Sequence, residues 1–163
     1  MTIDSDLAKI AQQEELLAFE HFSVEDAWAL GCDLREAAMA RAAPVAIDIT
    51  LATRQVFFVA LPASSPDNAE WIRRKRNCVL RFFRSSYRVK LELDKTGLDI
   101  ATRHGVDPRD FAASGGSFPI SLRRTGIIGA VTVSGLPQRE DHALIVSVVA
   151  ARLGQDAKAL ALD

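Results

Sequence analysis

Residues 56–61, Val56-Phe57-Phe58-Val59-Ala60-Leu61, are apolar at every position. A strand with that pattern buries both faces, so it needs helices on each side of its sheet, or one helix layer and a subunit partner. The run before it is different. Val45, Ile47, Ile49 and Leu51 alternate with Ala46, Asp48 and Thr50, which describes a half-buried strand with Asp48 on the less apolar face. Ala52-Thr53-Arg54 is the turn between the two.

The flanking segments supply the helices. Residues 5–18 place Leu7, Ile10, Ala11 and Leu17 on one side of a helix, and a short strand at Ala18–Phe22 follows. Ser23-Val24-Glu25-Asp26 resembles a capping box and opens a helix through about Ala42, ended by Pro44. Pro66-Asp67 starts a long helix, with the acid placed favourably for the helix dipole. A further helix runs from Ser86 to Lys95 and stops at Gly97, and Pro108–Phe111 suggests one helical turn. Phe118–Leu122 and Ile127–Val133 form a hairpin around a glycine-containing loop, and Pro137 opens a final helix carrying Ile145, Val148, Val149 and Leu153. A mainly antiparallel sheet with flanking helices is an α+β fold.

The chain of 163 residues fits one domain spanning 1–163, with no repeat or low-complexity linker. Its net charge of −1 argues against a dedicated nucleic-acid binder. Cys32 and Cys78 stand far apart without metal-ligand spacing, so no structural zinc site is expected. The acidic start lacks the apolar stretch of a secretory signal, and no apolar run approaches the roughly 18 residues of a membrane span. The protein therefore reads as soluble and cytoplasmic.

Chemistry concentrates in the last third. Gly115-Gly116 precede Ser117 and Phe118-Pro119, and Ser134-Gly135 sit where a strand hands over to a helix. Unpaired amides at such a helix start favour an anion or carboxylate, while paired glycines also serve as plain turns. Asp141 and His142 lie in the first turns of the last helix, facing the sheet and the rim near Ser134-Gly135. His142 reads as a general base, a metal or haem ligand, or a neutral structural residue. On the long helix, Lys75 falls inside an apolar arc of Trp71, Ile72, Val79, Phe82 and Phe83 and needs a partner, for which Asp48 and Asp67 are candidates. Arg73, Arg74, Arg81 and Arg84 cluster opposite, as a solvated or subunit-facing stripe or a phosphate grip.

Gly115-Gly116-x-x-Pro119-Ile120, Gly126-Ile127-Ile128-Gly129-Ala130-Val131, Val133-Ser134-Gly135 and Asp141 resemble the signature of the haem-degrading-domain superfamily of GlcG-like, HbpS-like and PduO C-terminal proteins. Asp26-Ala27-Trp28-x-Leu30-Gly31, Pro66-Asp67-Asn68-x-x-Trp71-Ile72-x-Arg74-Lys75, Arg84-Ser85-Ser86-Tyr87 and Ser134-Gly135-Leu136-Pro137 with Asp141-His142 narrow the likeness to its uncharacterised-protein-family (UPF) branch. The resemblance implies a profilin-like fold, a central antiparallel sheet with helices on both faces, assembled as dimers or larger rings. It favours a small-molecule-binding module with haem as ligand, or a small carboxylate or phosphate instead. Its site combines Gly115, Gly116, Ser117, Ser134, Gly135, Asp141 and His142, with Arg74, Lys75 or Tyr87 from the same or a neighbouring subunit. A non-enzymatic oligomeric scaffold is the alternative. An enzyme using Asp141-His142 as an acid–base pair ranks third, since adjacent helical residues do not face each other.

Overall fold

The computed structural model describes residues 2–162. Helices α1 (Ile3–Leu16) and α2 (Val24–Ala40) lead into strands β1 (Ala46–Leu51) and β2 (Arg54–Ala60). Helices α3 (Asp67–Phe82), α4 (Ser86–Thr96) and α5 (Ile100–His104) follow, then β3 (Ser117–Leu122), β4 (Gly126–Ser134) and α6 (Gln138–Arg152). The four strands form one antiparallel sheet in the order β2-β1-β4-β3. Helices flank it on both faces, which is the α+β architecture that the patterning implied.

Local chemistry accounts for the helix starts. Thr2 and Ser23 each close a full capping box, and Asp26 takes the third helical position of α2, where its carboxylate accepts the Ser23 amide at 2.8 Å. Ser85 caps α4 and Asp99 caps α5. The Asp99 cap and Gly105 stop bound a five-residue helix that the apolar pattern did not announce, while Pro108–Asp110 form turns rather than a helix. The strand expected at Ala18–Phe22 shrinks to a single parallel bridge, Phe19 to Leu122.

The sheet has two unlike faces. Ile47, Ile49, Phe57, Phe118, Ile120, Val131 and Val133 pack with Ala27, Leu30 and Leu34 of α2 and with Leu144, Ile145 and Val149 of α6 as the main core. Helix α2 comes so close that a Cβ on Gly31 would stand 2.4 Å from the Phe57 ring. The other face carries a polar row. Asp48 pairs with Thr132 across β1 and β4, and Thr132 with Ser117 across β4 and β3, all three fully buried. Helix α3 roofs that row, where Asp48 accepts from Gln55 (2.6 Å), Thr50 (3.0 Å) and Arg76 (3.2 Å).

The apolar run at β2 has one of the two covering layers expected for it. Helix α3 lies over β4, β3 and β1, and β2 is an edge strand, so its second face is not covered. Phe57 is buried against α2, but Phe58 on the opposite face stays 43% exposed.

Candidate functional site

The polar face of the sheet ends in a pocket of about 250 Å³ at the junction of β4 and α6, opposite the first half of α3. Helical phase brings Asn68, Trp71 and Lys75 (i, i+3, i+7) onto its wall from α3. Ser134, Gly135 and Leu136 form the strand-to-helix turn, and Gln138 and Asp141 enter from the first turn of α6.

Lys75 is 3% exposed. Its ammonium donates to the Asp141 carboxylate at 2.9 Å and to the Val133 carbonyl at 3.3 Å. Asp141 also accepts from the amide of Leu136 at 3.0 Å. The anion expected at this turn is thus supplied by the chain itself. Burial pushes the Lys75 amine below its ordinary pKa and the Asp141 carboxyl above its own, and their mutual attraction opposes both shifts. Neither Asp48 nor Asp67, the partners considered from sequence, reaches Lys75. Arg76 takes Asp48, and Asp67 accepts the Trp71 indole N–H at 2.9 Å.

Gly116 makes room for this pair. Its φ of +116° is disfavoured for side-chain-bearing residues, and a Cβ there would stand 2.8 Å from Lys75 Nζ and 2.4 Å from the Val133 carbonyl oxygen. Gly115 is held by Gln138, whose Oε1 accepts its amide at 3.3 Å. Ser117 belongs to the polar row, its hydroxyl 2.8 Å from that of Thr132. Arg74 stacks over the Trp71 ring at 4.2 Å, and its buried Nε has no hydrogen-bond partner among the described residues.

His142 does not look toward the rim. It is fully buried, between the rings of Tyr87 and Phe118, with Nε2 2.8 Å from Gln13 Oε1. The Gln13 amide nitrogen donates to Leu160 O, so its oxygen faces the ring and His142 carries its proton on Nε2. Nδ1 is left buried without a partner among the described residues, and burial pushes the ring pKa down to about 3. Tyr87 Oη accepts from Arg139, which also binds Asp6. The side chains of Asp141 and His142 diverge, so they form no acid–base pair.

A family model described as haem degrading protein HbpS-like matches residues 22–150. The chain belongs to this HbpS-like family. Among its relatives, a UPF0303 protein of Rhizobium rhizogenes is 56% identical over 156 residues, 96% of each chain. One from Rhizobium etli is 52% identical over 163 residues, all of this chain and 99% of that protein. The crystal structure of Ybr137w protein superposes with a TM-score of 0.84 at 31% identity, covering 91% of this chain and 87% of that one. A crystal structure of a PduOC–haem complex superposes at 0.67 with 17% identity over 80% and 94% of the two chains, a likeness of fold.

Haem does not fit this pocket of the HbpS-like chain. The volume lies below the ~300–1,000 Å³ of drug-sized sites, and no histidine, cysteine or methionine lines it. His142 and Tyr87 already hold partners in the interior. Asn68, Trp71, Ser114, Leu136 and Gln138 line the pocket although the glycine–serine pattern did not single them out as ligand residues. The spacing of Asn68, Trp71 and Lys75 was the available signal. No helix among the described residues is long and apolar enough to cross a membrane.

Proposed function

We propose that the protein is a small-molecule-binding module whose ligand is a small compound rich in acceptor oxygens, such as a short carboxylate. The observation that carries this reading is the Lys75 ammonium on the pocket wall. It has three donors, and Asp141 and Val133 take two. Two side-chain amides add to it. Asn68 Oδ1 accepts the Ser65 amide and Gln138 Oε1 the Gly115 amide, which leaves both NH2 groups for a ligand. The Lys75 and Asp141 charges cancel, so the pocket suits a compound of low charge better than a phosphate.

Thermal melts with pyruvate, lactate or inorganic phosphate test the reading. A saturable rise in Tm with a carboxylate that Lys75→Met removes is expected. Flat melts with all three would overturn it. Haem, the ligand in the PduOC complex of like fold, forms a separate arm. A saturable Soret shift unaffected by Lys75→Met would locate haem binding outside this pocket.

Self-assembly belongs to the same proposal. The unpaired outer edge of β2 and the half-exposed Phe58 support a homo-oligomer that covers this edge. The scaffold alternative shares that surface but has no use for a polar pocket around a buried amine.

A further inference from the structure

We propose that Lys75 is an imine-forming amine and Asp141 its proton carrier, acting on a small aldehyde or ketone in the pocket between α3 and the β4–α6 turn. The proposal rests on the binding reading above and adds covalent chemistry to it.

Lys75 differs in setting from every other lysine of the chain. Lys9, Lys90, Lys95 and Lys158 lie at or near the surface, and the first three bond to Ala159 O, Asp94 and Asp4. Lys75 is buried on a pocket wall with a carboxylate 2.9 Å from its nitrogen. An amine attacks a carbonyl only in its neutral form, and withdrawal from water favours that form. The same burial favours the protonated carboxyl of Asp141. Moving one proton along the hydrogen bond therefore converts an ion pair into a nucleophile beside an acid, with no change in net charge.

The Leu136 amide, 3.0 Å from the carboxylate, holds Asp141 in place during the exchange. Gly116 lets the strand approach without displacing Lys75 Nζ. The hydroxyl of Ser134 and the NH2 groups of Asn68 and Gln138 are placed to bind the remaining oxygens of a small oxo acid or hydroxyketone.

The step balances within the pair and the substrate. The Lys75 lone pair forms a C–N bond to the carbonyl carbon, and the C–O π pair moves to oxygen, which takes the Asp141 proton. The carboxylate then removes a proton from nitrogen, giving a neutral carbinolamine. Asp141 returns that proton to the hydroxyl, the C–O bond breaks, and water leaves as nitrogen forms C=N. The products are water and a protonated imine with the Asp141 carboxylate beside it.

The test is reductive trapping in the full-length protein with cyanoborohydride and pyruvate or dihydroxyacetone, followed by peptide mapping of all lysines. Adduct concentrated at Lys75 is expected, with the other lysines as controls in the same molecule. Asp141→Asn should slow trapping on the order of a hundredfold, as loss of a positioned proton carrier does. Labelling of Lys75 no faster than of surface lysines would overturn the proposal. Lactate and glycerol, which cannot form imines, separate the two readings. A Tm rise with lactate or pyruvate and no Lys75 adduct refutes the imine and leaves the binding site standing. No Tm rise and no adduct with any compound refutes both.

Discussion

The Lys75–Asp141 pair and His142 show how burial, rather than residue type, assigns roles in this protein. A buried ion pair gives little net stability against apolar replacements, but leaving one of its charges alone is costly. Here the carboxylate keeps the Leu136 amide without Lys75, and the ammonium without Asp141 keeps the Val133 carbonyl. His142 makes the opposite use of burial, staying neutral to donate to Gln13 and tie α6 to α1 and the C-terminal residues. Its folded pKa of about 3 lies below the ordinary 6.5, so between these values the unfolded chain holds a proton that the native one lacks. Stability contributed in this way is present above pH 6.5 and falls as the pH drops toward 3, by about 1.4 kcal/mol per pH unit. Urea melts at pH 7 and pH 5 should show this loss, and His142→Gln should shrink it. An unchanged difference would contradict the neutral buried ring.

Among the elements, α2 and β2 are matched through one missing side chain. Alanine at position 31 would gain about 1 kcal/mol of helix propensity over glycine. Its Cβ would meet the body of the Phe57 ring at 2.4–2.5 Å, and such overpacking typically costs about 1–3 kcal/mol. The ring also touches Trp28 edge-on, which limits its retreat. Overpacking wins, so Gly31→Ala should lower stability by about 1 kcal/mol in denaturant melts. A stabilised variant would mean that α2 moves off the sheet freely. The helix boundaries were legible because capping is local: Ser23 and Asp26 stand three residues apart in sequence and in the finished box. Helix α5 escaped notice because five residues are too few to show a period.

For the whole molecule, the sheet order decides which apolar surface stays open. Placing β2 at the edge leaves Phe58 uncovered, although the strand has the composition of a central one. Light scattering on purified protein should give a mass above that of one chain, and Phe58→Glu should lower it. A monomer in both cases would assign the open face to another role. Most arginines of α3, α4 and the turn between them are paired within the chain. Arg73 bonds Glu70 and Asp110, Arg84 bonds Glu92, and Arg88 bonds Glu14 and Glu92. That internal pairing agrees with the net charge of −1 in arguing against a phosphate grip.

The α+β class, most helix and strand spans and the family are legible in local sequence, as are Ser134, Gly135 and Asp141 of the candidate pocket's lining. Those features depend on periods of two or 3.6 residues, on caps three residues wide, and on blocks of motif, all of which lie within short stretches of chain. Which buried groups become partners depends on how the elements pack. Lys75 meets Asp141 across 66 positions and His142 meets Gln13 across 129. Helical phase placed Asp141 and His142 together on the inner side of α6, but only the packed neighbours separated them, one toward α3 and the pocket, the other toward α1. A buried polar group takes whichever partner the strand order and helix rotation bring within about 3 Å, and no local pattern carries that information.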